Sequence, residues 1–568
     1  MGEAVVDHHF ADVCEADSAV PRPCGCIDPA CRSAAEEHGF FKLAFGSEEK
    51  SKDRIVRAVC LRIAFLSLLA YSIYSAATVC VVAVQLLNNQ WENTYPEAPH
   101  IYTALRAAAT GRLYFPLNQP PYILQSYGPL YYELGAWMAR LVHGDVDRYI
   151  SLARISAFGC FVLCAILIFA LCKRLSFSFS VSLAAAALPM GVPLFCPWAI
   201  TVRPDMYFLA LMIGSLALAL WDEAPSAGIC IASGALGGMS FLMKQPGIVV
   251  LVAIGIVWLL HKKLRQTVFL AVGALVPVIL MLALLLAHKE HFLDQYLSVG
   301  KALRSFSDAS AYTWSLLRSP ARLTPIGIAA LGIMPAFSSE RGRLIVSFTL
   351  LNWFVGLAGM PQLGAGSNYF LAGFLGCGLL LPFAFEFVRR NVNFASVMLM
   401  IVVGIGYLAG SYSIGPVFNG INMTPHPYSA LAQYHILSDR PGIVLRGRNP
   451  DLLDPISVHM VELGGGGWSS APIVQSVRNV EYDLVILACT GSRIVCNFRG
   501  VDFFAPAVVG AINANYSVFC TSSTAIVLTP RWRQVDVTAG ALSPSLGAAC
   551  ETTYKGHTPD LVIVSGSR

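Results

Sequence analysis

The chain has 568 residues, of which 55% are hydrophobic and 13% are charged, and its mean hydropathy is +0.60. Soluble globular proteins carry roughly 25% charged residues. The composition therefore excludes an ordinary soluble enzyme, argues against nucleic-acid binding and indicates a polytopic membrane protein. The formal net charge of +5 decides little, because the positions of Lys and Arg relative to the spans carry the information.

Residues 1–56 form a polar tail without a charged n-region followed by an apolar h-region, so we expect no cleavable signal peptide. The first span would act as a signal anchor and leave a disordered cytoplasmic tail. The tail cysteines Cys14, Cys24, Cys26 and Cys31 lack the paired Cys-x2-Cys spacing of a zinc site.

Hydropathy predicts about eleven spans between residues 57 and 412, followed by an extracytoplasmic domain. The spans lie near 57–86, 150–172, 178–196, 206–221, 228–243, 247–260, 267–288, 321–337, 344–360, 369–388 and 394–412. Basic short loops, for example Lys173-Arg174 and Arg389-Arg390, place one side in the cytoplasm. The first loop, 87–149, would then face outward across a plasma membrane, in bacteria the inner membrane.

Residues 413–568 would form an extracytoplasmic α/β or α+β domain. Strands are predicted at 442–445, 483–487 and 524–528, where short aliphatic runs are separated by turn residues. In an oxidising compartment the four cysteines of this region would form two disulfides. These cysteines are Cys489, Cys496, Cys520 and Cys550.

The first outward loop is rich in proline and aromatic residues and is too long for a simple connector. It carries Glu97 near the start of a helical pattern and the run YGPLYY at 127–132. A carboxylate at this position either caps the helix or acts as a general base on an acceptor hydroxyl. Tyr127, Tyr131 and Tyr132 would form a wall for a sugar or an ordinary interfacial aromatic belt.

Three further outward breaks interrupt the spans. Arg203 and Lys244 are either end residues that extend to the interface or a clamp for the phosphate of a lipid carrier. Asn368 lies in a glycine-rich break, as an N-cap or as an amide donor to a sugar or phosphate. The sequence has no His-Glu-x2-His, Gly-x-Ser-x-Gly or Walker motif, which argues against proteolysis, hydrolase-elbow chemistry and ATP-driven transport.

In this order, the motifs resemble the multi-span glycosyltransferases of the GT-C class, which include protein O-mannosyltransferases and aminoarabinose transferases. The matching elements span roughly residues 57–390. They are Glu97, YGPLYY at 127–132, Arg203-Pro204-Asp205, Lys244-Gln245 and Ser367-Asn368-Tyr369.

The resemblance implies an inverting transfer of a sugar from a polyprenyl-phosphate donor to a glycan, lipid or protein acceptor on the outer face. Glu97 would be the base, and Arg203 and Lys244 would hold the donor phosphate. The remaining implied substrate-binding residues are Tyr127, Tyr131, Tyr132, Asp205, Gln245, Asn368 and Tyr369.

One departure concerns metal binding. Many members of the class carry two adjacent acids in the first loop, whereas here Pro96 precedes Glu97. No cofactor is therefore required by the pattern, although Glu97 and Asp205 would be possible ligands of a divalent metal.

Two other classes of function compete with the glycosyltransferase. A transporter or flippase of lipid-linked glycans would use intramembrane charges without a base, but the internal repeats typical of transporters are not evident. A scaffold with an extracytoplasmic binding domain would leave the charged span ends without a shared task. Basic residues in the outward loops would contact membrane lipid headgroups or an anionic lipid substrate.

Overall fold

The computed structural model describes most of the chain between residues 61 and 535. The described residues are 59, 61–87, 97–288, 290–302, 304–362, 365–390, 404, 431, 433–439, 441–445, 452–487, 497–498, 501–521, 525–535 and 551–552. The predicted tail 1–56 and the predicted eleventh span 394–412, apart from residue 404, lie outside these residues.

The membrane region is helical, and we number its helices in chain order. They are α1 (Leu61–Leu86), α2 (Ala98–Thr110), α3 (Pro129–Leu141), α4 (Val146–Arg174), α5 (Phe179–Met190), α6 (Phe195–Trp198), α7 (Asp205–Ala219), α8 (Ala227–Met243), α9 (Ile248–Leu260), α10 (Leu264–Ala287), α11 (Phe292–Gly300), α12 (Phe306–Leu317), α13 (Pro320–Ala336), α14 (Glu340–Gly359) and α15 (Leu371–Arg390). Two 3-10 turns, Gln245–Gly247 and Ser367–Phe370, precede α9 and α15.

Five helices are long and apolar enough to cross a membrane, and five others are shorter apolar helices. The long ones are Leu61–Leu86, Val146–Arg174, Leu264–Ala287, Glu340–Gly359 and Ser367–Arg390. Each of the first ten predicted spans overlaps one of these ten helices. The total of eleven stays a prediction, because the last span lies outside the described residues.

Several helices begin where the sequence supplies a capping side chain. Asp145, Ser178, Ser226 and Ser339 each accept a hydrogen bond from the backbone N–H three residues further on. Such a bond satisfies one of the amide groups that a helix leaves unpaired at its start. These caps fix where α4, α5, α8 and α14 begin.

Small residues let α8 and α10 approach closely. A Cβ atom added to Gly234 would lie 2.0 Å from the carbonyl oxygen of Leu270, and one added to Gly273 would lie 2.1 Å from that of Ile231. In membranes, where lipid tails are as apolar as side chains, such close backbone contact is a main source of helix association. The outer face of α10 is correspondingly apolar and exposed, as at Leu280 and Leu284.

The C-terminal region contains a small mixed sheet. Its strands are β1 (Ile436–Ser438), β2 (Leu484–Leu487), β5 (Tyr516–Thr521), β6 (Ile526–Pro530) and β7 (Glu551–Thr552), in the order β1-β2-β6-β5-β7; a separate pair is β3 (Asn497–Phe498) with β4 (Val501–Asp502). β1 and β2 are parallel, and the other described pairs are antiparallel. Four helices accompany the strands: α16 (Pro441–Val444), α17 (Pro455–Leu463), α18 (Ala471–Arg478) and α19 (Pro506–Asn515).

Two of the three predicted strands are confirmed, since β2 and β6 overlap 483–487 and 524–528. The strand predicted at 442–445 is wrong. That segment belongs to α16, which opens with Pro441. A proline at the first helical position is compatible with a helix because its missing N–H would have no partner there.

The C-terminal region packs directly on the first loop. The backbone N–H of Asp454 donates to the carbonyl oxygen of Tyr122 at 2.9 Å, and Tyr122 pairs with Leu453 as in a parallel strand. The Tyr122 and Trp468 rings lie 6.3 Å apart. Leu117 and Leu124 also belong to the hydrophobic cluster of the C-terminal region. The first loop is therefore part of the core that supports this region.

Candidate functional site

The YGPLYY run is fastened to the break between α8 and α9. The N–H of Gly128 donates to the carbonyl oxygen of Met243 at 3.1 Å, and Gln245 Nε2 donates to the carbonyl oxygen of Ser126 at 2.9 Å. A Cβ atom on residue 128 would lie 2.0 Å from the carbonyl oxygen of Leu242. Only glycine permits this approach, which brings Tyr127 beside Lys244.

Asp205 contacts a polar side chain from each of the two other breaks. Lys244 Nζ lies 2.6 Å from Asp205 Oδ1, and Arg203 Nε lies 3.6 Å from Oδ2. Asn368 Nδ2 donates to Oδ1 at 2.8 Å. We call Arg203, Asp205, Lys244 and Asn368 the charged cluster. Two cations and one carboxylate give it a net charge of +1, in a place where Asp205 is fully buried.

Aromatic rings surround the cations of the charged cluster. Arg203 lies 4.8 Å from the centre of the Trp198 ring, and Lys244 lies 5.1 Å from that of Tyr369. The Arg203 guanidinium donates to the Tyr127 hydroxyl. Burial raises the pKa of Tyr127, so its hydroxyl stays protonated and remains a hydrogen-bond donor. These aromatic rings carry no charge, so they hold Arg203 and Lys244 in place without reducing the positive charge of the cluster.

A cavity of about 520 Å³ opens beside the charged cluster. Six residues predicted from the sequence line it: Tyr127, Arg203, Lys244, Gln245, Asn368 and Tyr369. The C-terminal region supplies part of the wall, including Asp454, Ser457 and Phe503. The cavity therefore joins the membrane helices, the first loop and the C-terminal region, and its volume suits a small organic substrate.

Glu97 lies at the start of α2, where its side chain makes no capping bond. Its carboxylate faces Arg154 of α4, with Nη2 3.0 Å from Oε2 and Nε 3.4 Å from Oε1. Oε1 also accepts the N–H of Val202 at 2.6 Å. Glu97 is fully buried and Arg154 is 1% exposed. The structure thus places Glu97 in a buried ion pair that supports the turn before Arg203.

Tyr131 and Tyr132 lie behind the cavity wall and not on its lining. The Tyr131 hydroxyl donates to the carbonyl oxygen of Val202 at 2.9 Å. Its ring centre lies 5.7 Å from that of Tyr127, in an edge-to-face contact. Tyr131 therefore positions Tyr127 and the Arg203 turn, and Tyr132 packs against Tyr131 with ring centres 5.3 Å apart. Of the three predicted tyrosines of the run, Tyr127 alone lines the cavity.

The third break brings Asn368 to the site without using it as a cap. Gly366 occupies the N-cap position of the 3-10 turn, so the predicted capping role of Asn368 is wrong. Trp198 Nε1 donates to Ser367 Oγ at 3.2 Å and ties this break to the segment before Arg203. The oxygen Oδ1 of Asn368 is buried without a hydrogen-bond partner among the described residues.

Two residues of the site were not singled out from the sequence. Arg154 is a charge inside a predicted span, a signal that often marks an ion pair or a function. His100 lies in the first turn of α2, is 3% exposed and lines the cavity. Burial, reinforced by the charge of Arg203, lowers the pKa of His100 well below its usual range. Its short distance from Glu97 in the sequence was the available signal.

The described residues do not form a metal-binding site. Among them, no group of three or more His, Cys, Asp or Glu side chains is arranged to hold an ion. Glu97 and Asp205, the two possible ligands, face Arg154 and the cations of the charged cluster instead.

The chain is similar to known proteins in two ways, by sequence over one segment and by fold over most of its length. Residues 133–288, which include Arg203 and Lys244, match the family model of dolichyl-phosphate-mannose-protein mannosyltransferase. No protein among the curated ones matches the chain by sequence.

Two solved structures of ArnT have a fold similar to that of this chain. Apo ArnT from Cupriavidus metallidurans has a TM-score of 0.52 at 12% identity, covering 80% of this chain and 96% of that one. ArnT bound to undecaprenyl phosphate gives 0.52 at 12% identity, with coverages of 81% and 98%. The oligosaccharyltransferase AglB from Archaeoglobus fulgidus, in complex with an inhibitory peptide and a dolichol-phosphate, gives 0.46 at 11%, with coverages of 82% and 75%. The ArnT match confirms the expected fold class.

Proposed function

We propose that the protein transfers a sugar from a polyprenyl-phosphate donor to an acceptor hydroxyl on the extracytoplasmic face of its membrane, with inversion at the anomeric carbon. The charged cluster carries this proposal, because it offers two cations against one carboxylate at the wall of a substrate-sized cavity. The ArnT structure with bound undecaprenyl phosphate supports the donor class.

In this proposal Arg203 and Lys244 bind the phosphate of the donor. The bond between the anomeric carbon and the phosphate oxygen breaks, and the electron pair leaves with the phosphate, which gains one negative charge. Fixed cations at the cavity wall stabilise that charge most strongly at the transition state. Tyr127, Gln245, Asn368 and Tyr369 would contact the sugar or its phosphate from the same wall.

The role of Glu97 depends on its ion pair with Arg154. The carboxylate acts as the base predicted from the sequence if substrate binding opens the pair. While the pair is closed, Glu97 instead holds the N–H of Val202 and thereby the turn that presents Arg203. Both roles make activity sensitive to Glu97, and they differ in what happens when Arg154 is changed as well.

Two observations support the proposal that the site lies on the extracytoplasmic side of the membrane. The cavity is lined by both the first loop and the C-terminal region, so the two lie on the same side as the site. Cys520 of the C-terminal region is in a disulfide, and disulfides persist outside the cytosol. The acceptor would be a glycan, a lipid or a protein that reaches this face.

The test supplies purified protein in lipid nanodiscs with radiolabelled polyprenyl-phosphate sugars and a membrane extract as acceptor. We expect transfer of label by the wild type, and a large loss in the double variant Arg203→Met/Lys244→Met. Arg148→Met, which removes an exposed cation near the start of α4, is the matched control and should retain activity. Movement of intact donor between leaflets without transfer would refute the proposal in favour of a flippase.

A further inference from the structure

His100 lines the cavity, and one nitrogen of its ring makes no hydrogen bond to the part of the chain that the structure describes. The residue is 3% exposed, and this nitrogen, Nδ1, is buried. A buried polar atom without a partner carries the full cost of its lost hydration. Native proteins seldom retain such a cost unless a water or a ligand supplies the partner.

The surroundings of His100 fix the ring at the site. Its centre lies 4.7 Å from that of Tyr127, whose hydroxyl accepts from Arg203. Tyr131 meets it edge to face at 6.0 Å. The backbone N–H of His100 donates to the carbonyl oxygen of Glu97 at 3.1 Å, within the first turn of α2. The ring is therefore held beside the charged cluster by packing.

The carboxylate of Glu97 points to Arg154 and Val202, so in this state it is engaged away from a substrate. Asp205 is engaged by Lys244 and Asn368. Of the groups predicted to face the donor phosphate, Arg203 and Lys244 are cations and accept no proton. Two lining residues combine a place on the wall with a proton-accepting side chain, Asp454 and His100, and His100 is the one whose ring packs against Tyr127 beside the charged cluster.

We infer that the imidazole of His100, which lines the cavity, binds the attacking hydroxyl of the acceptor and takes its proton during transfer. This inference rests on the proposed glycosyl transfer. The acceptor O–H bond breaks as its oxygen bonds to the anomeric carbon, and the proton moves to the imidazole. The carbon–oxygen bond to the phosphate breaks at the same time, and its electrons leave with the phosphate. The imidazolium then returns the proton to solvent.

The charges around His100 support this proton transfer. The charged groups that act on His100 are Arg203, Lys244 and Asp205. Burial and the two cations lower the pKa of His100, so the free enzyme holds a neutral ring ready to accept a proton. A bound donor phosphate offsets the cations. Its growing negative charge then favours the imidazolium at the moment when the proton is transferred.

The experiment compares the wild type with His100→Asn in the nanodisc transfer assay. Asparagine keeps a polar atom near the position of Nδ1 but binds no proton at neutral pH. We expect kcat to fall by about 100-fold or more, while the KM for the acceptor and the binding of polyprenyl phosphate change little. His288→Asn, at an exposed residue after α10, is the matched control and should behave as the wild type.

A second measurement uses the wild type alone and does not depend on how the variant folds. The neutral ring is the active form, so activity should fall as the pH is lowered through the pKa of His100. Since the donor phosphate raises that pKa, the acidic limb of kcat should lie at higher pH than the limb of kcat/KM for the donor. A wild-type kcat with no acidic limb, or a His100→Asn kcat within about threefold of the wild type, well short of the loss expected for a proton acceptor, overturns the inference. A wild type that transfers no sugar overturns the proposed function instead.

Discussion

The ion pair between Glu97 and Arg154 leads to the most discriminating prediction. Arg154 is replaced by Met alone, and by Met together with Glu97→Gln. Both side chains are buried, at 0% and 1% exposure. In Arg154→Met the carboxylate keeps the Val202 N–H but loses the guanidinium that faces both of its oxygens. Removing one partner of such a pair typically costs about 3–5 kcal/mol.

The double variant should recover much of this loss. The glutamine side chain introduced by Glu97→Gln is neutral, so no buried charge is left unpaired, and its amide oxygen still accepts the N–H of Val202. Replacing both members of a buried pair by groups of similar volume is often close to neutral. We therefore expect the order of thermal stability to be wild type, then the double variant, then Arg154→Met. The melting temperature is measured in detergent by tryptophan fluorescence, with Arg148→Met as the exposed control on the same helix.

The same proteins decide the role of Glu97 in transfer. A double variant that is stable but inactive would show that the carboxylate itself reacts, as a base released from Arg154 that takes the acceptor proton in place of His100. A double variant with activity well above that of Arg154→Met would show that Glu97 acts by holding the turn before Arg203. The structural reasoning fails if Arg154→Met melts at the wild-type temperature, or if adding Glu97→Gln lowers its stability further.

Two further predictions concern the cluster and the break beside it. In Lys244→Met, Asp205 keeps its other polar neighbours, so the melting temperature should change little, but the affinity for polyprenyl phosphate should fall about 10–100-fold, as for a charge-assisted hydrogen bond; unchanged binding in a lipid-competition assay would contradict this. In Gly128→Ala the new Cβ would lie 2.0 Å from the carbonyl oxygen of Leu242, so the melting temperature should fall, whereas Gly159→Ala, which meets nothing within 4 Å, should not lower it. Equal melting temperatures for the two alanine variants would refute the close-approach argument.

The hydropathy pattern predicted the membrane helices well because lipid imposes one requirement on every span. The backbone N–H and C=O groups of an apolar segment in hydrocarbon find no water to bond. A helix pairs these groups with each other within the segment. The short β-rich runs were less informative. Residues 442–445 read as a strand from their aliphatic side chains, yet Pro441 and local packing favour a helical turn there. Short apolar runs leave that choice to the surrounding structure.

The sequence predicted those site residues whose polar character conflicts with their position at the ends of apolar spans. Arg203, Lys244 and Asn368 were found because polar residues at span ends are costly and need a shared polar environment. Their convergence on Asp205 could not be read from the sequence, since it depends on how three separate breaks pack. The partner of Glu97 lay 57 residues away, within a span. Periodicity gives no distance between two helices, and so it could not distinguish a base from an ion-paired acid.

Glu97 and Asp205 differ in the number of cations that face them within the described part of the chain, and this difference supports different roles for the two carboxylates. Within the described part of the chain Glu97 faces one guanidinium, that of Arg154, and the two charges offset each other. Asp205 faces both Arg203 and Lys244, so its cluster keeps one positive charge beside the cavity. Around the buried Asp205 that charge is left for a ligand to neutralise. An anion therefore gains more at Asp205 than at Glu97, which supports the proposal that the reacting phosphate binds at the Arg203–Lys244 wall even though Glu97 was the more conspicuous acid in the sequence.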